Sequence, residues 1–321
     1  MRAVLVTRTG GPDVLDVTDV PDPVPGPADL LVRVQASGIN YIDTYFRSGS
    51  YPRDLPYVPG DEGTGVVEQV GSEVSEFSVG DRVAWAAAPA SYAELVRVPA
   101  ASAVAVPAGV DPPQAASVLL QGMTAHYLIE STYPVQSGDV VLVHAGAGGV
   151  GLILTQLVRA KGATVITTVS TDEKEALSRE AGAAHVLRYD DDIPARVRDI
   201  TDGVGVAAVY DGVGASTFDA SLASVRIRGT VALFGAASGP VPPVDPQRLN
   251  TAGSVFLTRP TLAHHIRDRA ELEWRGGDVV RALANGTLTV RVEHRYPLEQ
   301  ARQAHIDLES RRTAGSIVLE P

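Results

Sequence analysis

The stretch Val140-Val141-Leu142-Val143-His144-Ala145-Gly146-Ala147-Gly148-Gly149-Val150-Gly151-Leu152 decides the fold. An apolar run of strand type leads into a glycine-dense turn, and an apolar helix start follows. Gly146, Gly148 and Gly151 satisfy Gly-x-Gly-x-x-Gly. In that arrangement the second glycine lets the backbone approach a pyrophosphate, and the third lets the helix pack close to the strand. The amides of Gly149 and Val150 would then meet phosphate charge at the positive helix end. The alternative is a glycine-rich connection with no ligand. Its place between a strand and a helix favours dinucleotide binding.

Outward from this turn the alternation continues. Residues 149–161 have helical periodicity ending at Gly162, 163–169 form a β-rich run, and 171–181 read as a charged helix closed by Gly182. Further strands are expected at 185–189, 206–210, 230–234 and 254–258. Strands alternating with helices of about 10–15 residues imply βαβ units and a parallel sheet. Towards the N-terminus, 113–133 carries a helical pattern. Before it lie short apolar stretches at 3–6, 29–35, 63–70, 82–86 and 93–98, broken by Gly and Pro. These predict a barrel-like or sandwich-like β domain, with Pro21, Pro23, Pro25 and Pro27 as a surface connection. The expected fold is α/β: a Rossmann-type doubly wound parallel-sheet domain at 123–261, inserted in a β-rich domain made from 1–122 and 262–321. A length of 321 residues fits two domains at about 150 residues each.

The end of the second strand reads Thr168-Val169-Ser170-Thr171-Asp172-Glu173-Lys174. A NAD site usually places an acid there, about 20 residues past the glycine turn, on the ribose 2′-OH. Ser170 stands at that position instead, and Ser170-x-x-Glu173 reads as a capping box. Lys174 falls in the first helical turn, where a cation opposes the helix dipole by a few tenths to about 1 kcal/mol. A 2′-phosphate beside it would compensate; a solvated surface lysine is the alternative. Lys161 and Lys174 are the only lysines in the chain. The expected cofactor is therefore NADPH.

Composition removes other chemistries. The absence of cysteine excludes disulfides, thiolate nucleophiles and Cys-ligated zinc. With 27 Lys+Arg against 38 Asp+Glu the net charge is −11, which disfavours nucleic acid and anionic membranes as partners. No apolar run approaches the ~20 residues that span a bilayer. Polar Thr7-Arg8-Thr9 cuts short the first apolar stretch, so a cytoplasmic chain is expected. Seven histidines are scattered, with only His264-His265 adjacent, and no metal site is expected.

Further motifs carry a resemblance that runs along essentially the whole chain. They are Gly10-Gly11-Pro12, Gly38-Ile39-Asn40-Tyr41-Ile42-Asp43-Thr44-Tyr45, Arg47-Ser48-Gly49-x-Tyr51-Pro52 and Pro59-Gly60-x-Glu62. Gly80-Asp81-Arg82-Val83, Tyr210-Asp211-x-Val213-Gly214, Phe234-Gly235, Thr258-Arg259-Pro260 and Glu309-Ser310-Arg311 continue the series. Together with the glycine turn they resemble the zinc-independent medium-chain dehydrogenases/reductases, specifically the zeta-crystallin-like NADPH:quinone oxidoreductases.

The resemblance implies a GroES-like catalytic domain around the Rossmann domain. It implies Lys174, Tyr189 and Arg311 around the 2′-phosphate, Asn40 and Thr124 near the nicotinamide, and Phe234 and Gly235 bordering it. Tyr45 and Tyr51, with Gln121 nearby, would line a substrate cleft and, with Asn40, form the catalytic set. Tyr189 as strand packing and Phe234 as ordinary core are the alternatives. Gln121 stands where a relative carries a lysine, which alters the charge expected around the substrate. Where zinc-dependent relatives place a Cys and a His, this chain has Asn40 and Asp61.

The activity so implied is metal-free hydride transfer from NADPH to a quinone. Two other readings compete: an NADPH-dependent reductase of activated alkenes, enones or enoyl thioesters, and a crystallin-like structural or RNA-binding protein. A homodimer is expected through the apolar strand Gly253-Ser254-Val255-Phe256-Leu257-Thr258.

Overall fold

The computed structural model describes residues 1–310 and 313–321. The chain forms two compact units, Met1–Met123 with Ile266–Pro321, and Thr124–His265.

In the first unit, β1 (Arg2–Leu5) and β2 (Asp16–Asp19) form a small antiparallel pair. β3 (Asp29–Ile39) is the central strand of a larger, mostly antiparallel sheet. It leads directly into helix α1 (Tyr41–Ser48). β4 (Glu62–Val70), β5 (Arg82–Trp85), β6 (Leu95–Pro99) and β7 (Val104–Ala105) follow. Inward-facing Leu30, Val32, Val67, Val83, Trp85, Val96 and Val98 fill this sheet's core. Helix α2 (Pro112–Tyr127) then continues as a turn of π-helix over Leu128–Thr132. Helix α1 was not expected among the short strands. Its N-terminus is set by Asn40 and Asp43: the Asp43 carboxylate accepts from the Asn40 amide at 2.8 Å, and the Asp43 amide donates to the Asn40 carbonyl at 3.0 Å.

The second unit holds six parallel strands: β8 (Val140–Val143), β9 (Thr164–Val169), β10 (His185–Arg188), β11 (Val206–Asp211), β12 (Val225–Leu233) and β13 (Phe256–Thr258). Their order, β10-β9-β8-β11-β12-β13, is the doubly wound one. The connecting helices are α3 (Gly149–Ala160), α4 (Asp172–Glu180), α5 (Ile193–Ile200), α6 (Phe218–Ser224) and α7 (Pro246–Thr251). Every residue of β11 is buried, as expected for a parallel strand covered on both faces. Leu142, Ile166, Val209 and Val231 pack there with Val197, Phe218 and Leu222.

The chain then returns to the first unit through α8 (Arg269–Ala284), β14 (Val292–Pro297), α9 (Ala301–Glu309) and β15 (Ser316–Glu320). β15 closes against β3, with Val318 opposite Gly38. Among the described residues, no helix is long and apolar enough to cross a membrane.

The glycine turn after β8 depends on two different kinds of glycine. A Cβ on Gly151 would lie 2.3 Å from the Ala145 carbonyl oxygen and 3.0 Å from Gly146 Cα, both backbone atoms with no freedom to yield. A Cβ on Gly148 would meet only the Ala145 oxygen, at 3.3 Å, a tight contact relieved by a shift of a few tenths of an ångström. Gly151→Ala is therefore expected to lower the unfolding free energy by about 1–3 kcal/mol, as overpacked sites do. Gly148→Ala should change it by under about 1 kcal/mol while weakening dinucleotide binding. Urea unfolding and a cofactor titration on both variants check this; equal destabilisation would contradict it.

Candidate active site

The parallel strands of the second unit point their C-terminal ends to one side, and the residues expected around a dinucleotide follow those ends. The glycine turn follows β8, Ser170 follows β9, Tyr189 follows β10, and Phe234-Gly235 follow β12. Crossover connections leave β8 and β11 in opposite directions, so a crevice opens beyond the strand ends at this switch point. Gly148 is the N-cap of α3 and no side chain caps that helix. Its first-turn amides thus remain available to an anion. Ala145 turns the chain with φ +55°, and its amide donates to the Tyr189 hydroxyl at 3.0 Å. Tyr189 is half-exposed and stacks near His144, so it is a wall of the turn rather than strand packing. Phe234 is partly buried. A Cβ on neighbouring Gly235 would strike the Gly212 carbonyl oxygen at 2.4 Å, so these two loops touch through backbone.

The α4 cap differs from expectation. Thr171, not Ser170, is the N-cap, and its Oγ1 accepts from the Lys174 amide at 3.2 Å. Ser170 is exposed one residue earlier, so the Ser170–Glu173 box does not form. β9 ends at Val169 and the extended backbone persists to Thr171, which shifts the helix frame by one. Lys174 stays in the first turn. The acids nearest this end, Asp172 and Glu175, both accept from Arg188 Nη2, at 2.6 and 2.7 Å. A cation from β10 therefore neutralises these two carboxylates at the start of α4. An uncapped helix start, a glycine that tolerates close approach and a lysine beside neutralised acids all fit a 2′-phosphorylated dinucleotide.

Beneath the turn, three strand ends are tied together. Buried His144 bonds Thr168 Oγ1 through Nδ1 (2.9 Å) and Ser221 Oγ through Nε2 (3.1 Å). Ser221 in turn donates to Asp211 at 2.7 Å. Burial lowers the pKa of His144, so the ring is neutral and the network carries direction without a buried cation.

The first unit gathers Asn40, Gln121 and a residue that motif reading left without a role, Glu62. Asn40 Nδ2 donates to Glu62 Oε2 at 2.7 Å, and the Leu120 amide donates to Oε1 at 2.7 Å. Gln121 Nε2 donates to Asn40 Oδ1 at 3.3 Å, and Ser316 Oγ donates to Gln121 Oε1 at 2.8 Å. The chain of donors fixes the flip of both amides. Burial pushes Glu62 up to about 8, with the hydrogen bonds from Asn40 and Leu120 pulling the other way.

Asp43, the capping partner of Asn40, is pushed by burial up to about 7. It accepts from Asn40 N at 2.8 Å and from Tyr92 Oη at 2.9 Å. Tyr92 also meets His305 Nε2 at 3.3 Å, and Arg47 Nη1 lies 3.0 Å from His305 Nδ1. Arginine has no acceptor atom, so Nδ1 must accept and the His305 proton sits on Nε2. Burial drives His305 down to about 3, in keeping with a neutral ring.

Tyr45 and Tyr51 pack against each other with ring centroids 5.2 Å apart, and Tyr51 meets Phe46 edge-on at 5.9 Å. Asp61, at the place of a zinc-ligating histidine in relatives, is ion-paired with Arg53 at 2.9 Å. Thr124 is buried in α2. His265 stacks on Tyr127 at 4.2 Å, while His264 is exposed. Arg259 donates to the Leu233 carbonyl at 2.9 Å. Arg311 lies outside the described residues. Among the described residues, no group of three or more His, Cys, Asp or Glu is placed to hold a metal ion.

This pairing of a GroES-like sheet with a nucleotide-binding parallel sheet defines a medium-chain dehydrogenase/reductase. The alcohol dehydrogenase GroES-like domain matches residues 26–108, and the zinc-binding dehydrogenase domain matches 149–275. A quinone oxidoreductase of Pseudomonas aeruginosa is 43% identical over 315 residues, 97% of each chain. A 2-haloacrylate reductase of a Burkholderia species is 40% identical, covering 100% of this chain and 99% of its own. A mycobacterial protein solved in complex with NADPH superposes with a TM-score of 0.98 at 58% identity over the whole of both chains. The chain belongs to the quinone oxidoreductase family of oxidoreductases.

Glu62 offers a test of this site that needs no substrate. A carboxyl that normally releases its proton near 4.5 but holds it to about 8 when folded takes up a proton on folding between those values. Its contribution to stability therefore falls as pH rises across that window. Glu62→Gln removes the proton uptake, so its unfolding free energy should decline less steeply than wild type between about pH 5 and 8. Parallel slopes in denaturant unfolding across that range would show that Glu62 ionises normally.

Proposed function

We propose that this protein reduces quinones with NADPH by direct hydride transfer and without a bound metal. The observation that carries the reading is the fit of the second unit's strand ends to a 2′-phosphorylated dinucleotide, in a chain 58% identical to a protein solved with NADPH. NADPH, when bound, supplies the hydride. The glycine turn and the α3 N-terminus would hold its pyrophosphate, Lys174 and Tyr189 would take the 2′-phosphate, and Phe234-Gly235 would border the nicotinamide end. Asn40, locked by Glu62 and Gln121, presents a carboxamide of fixed orientation, with one Nδ2 proton beyond the one given to Glu62. Tyr45 and Tyr51, their rings tilted 55° to each other, form an aromatic wall for an apolar acceptor ring. A quinone accepts hydride readily, and the resulting anion takes its proton from water, so neither zinc nor a strong general acid is required.

A second reading is favoured by the Burkholderia relative: reduction of an activated carbon–carbon double bond. That reaction uses the same cofactor site but ends with protonation at carbon. RNA binding and a purely structural role find no support in a chain of net charge −11 with this polar site. A homodimer is proposed through β13, the sheet-edge strand, where Phe256 is 63% exposed. Pairing across a two-fold axis covers such an edge; a monomer by light scattering at micromolar concentration contradicts it.

Lys174→Ala should weaken NADPH binding by about 1.5–3 kcal/mol, the value of a charge-assisted hydrogen bond, while NADH binding changes little. Equal loss for both removes the 2′-phosphate assignment. The function itself is tested by following NADPH oxidation with a panel of quinones and enones, before and after prolonged chelation. With a quinone, Tyr45→Phe and Tyr51→Phe should each cost on the order of tenfold in kcat/KM. A loss beyond roughly a hundredfold means protein acid catalysis and favours the alkene reading. A chelator-sensitive activity restored by zinc overturns the metal-free mechanism.

A further inference from the structure

Arg53 stands at the edge of the aromatic wall in the first unit, and no motif points to it. Its side chain is 21% exposed, and its Nη2 donates to both oxygens of Asp61, at 3.1 and 2.9 Å. The guanidinium lies over the Phe46 ring, 3.8 Å from the centroid, and 5.4 Å from that of Tyr57. Phe46 in turn touches Tyr51, which touches Tyr45. The ion pair and the stacking together hold the guanidinium plane, while Nε and Nη1 make no hydrogen bond among the described residues. Arg53 therefore presents a fixed donor edge beside the wall that the reductase reading assigns to the acceptor. Asp61 precedes Glu62, the residue that holds Asn40, so the donor edge belongs to the same segment as the amide network.

We propose that Arg53 binds the acceptor's carbonyl oxygen and stabilises it as it becomes a phenolate or enolate. The inference rests on the reductase reading and narrows its substrate class to neutral carbonyl acceptors, quinones and enones. The acceptor gains a hydride from NADPH, leaving NADP⁺, and becomes a monoanion whose charge resides on that oxygen. A proton from water then neutralises it. Arginine suits this task because its planar fork remains charged throughout and meets oxygen without a proton changing hands. Donors fixed before reaction act on charge that develops only as the hydride arrives. Asp61 keeps the resting pair neutral overall, so the site does not favour an acceptor that is already an anion, such as a haloacrylate carboxylate.

The test uses the full-length protein with saturating NADP⁺, titrated with para-nitrophenolate as a stable mimic of the hydroquinone monoanion and followed by its absorbance. Arg53→Lys keeps a cation for Asp61 but loses the fork, and Arg53→Gln/Asp61→Asn removes both charges and leaves no stranded carboxylate. Both should weaken phenolate binding at least tenfold, leave the NADPH Kd within about twofold, and lower kcat for a benzoquinone roughly a hundredfold, the size of one lost oxyanion donor. Asp61→Asn alone should improve kcat/KM for 2-chloroacrylate relative to the quinone. Phenolate affinity unchanged in both Arg53 variants, or no phenolate binding to wild type, overturns the assignment of Arg53. If wild type oxidises NADPH with neither quinone nor enone while phenolate binding still depends on Arg53, the reductase reading fails and the oxyanion site stands.

Discussion

A single buried carboxyl, Glu62, sets the geometry on which the first unit's site depends. It lies at the start of β4 and receives one donor from Asn40, at the N-cap of α1, and another from the Leu120 amide in α2. Three elements distant in sequence are thereby fixed against one another. The space for it is made by Gly38, where a Cβ would lie 2.5 Å from Glu62 Oε2. Burying a carboxyl is costly unless hydrogen bonds compensate or the group keeps its proton. Here both happen: two donors meet it, and burial raises its pKa to about 8. A buried network whose donors and acceptors are linked in series specifies one arrangement of its amides, here those of Asn40 and Gln121.

The second unit solves a different problem, that of binding an anion with few cations. Its charge comes mainly from backbone: an uncapped helix start above a turn that glycine keeps close. The His144, Thr168, Ser221 and Asp211 bonds brace three strand ends from below. They use a neutral imidazole, which adds rigidity without burying a cation. Arg188 is occupied with Asp172 and Glu175.

The two carboxylates at the head of β4 divide labour by environment. Asp61 is paired with Arg53, whereas Glu62 is wholly buried among amide donors. The position that holds a metal-binding histidine in zinc-dependent relatives thus carries one half of an ion pair. The reading of Asp61 as a departure from a metal site came from the sequence; its partner Arg53 came from the fold.

How much was legible in the chain itself follows the range of the interactions. The parallel sheet, its glycine turn and the position of Lys174 were readable because hydrophobic period, glycine spacing and helix starts are local properties. Even there the cap moved from Ser170 to Thr171, since a hydroxyl on either side of a strand end gives the same local signal. Helix α1 was hidden among short strands, although Asn40 and Asp43, three apart, carried its capping signal. The hydrogen-bond partners of Glu62, Arg53 and His305 were not readable at all. Glu62 reaches Leu120 across 58 residues, and Arg47 reaches His305 across 258. The sequence by itself determined which elements of the parallel sheet form and where its glycine turn lies, because those depend on neighbours along the chain. Only the tertiary structure decided which buried carboxyl meets which amide, because desolvation and hydrogen-bond partners exist only once distant segments are packed together.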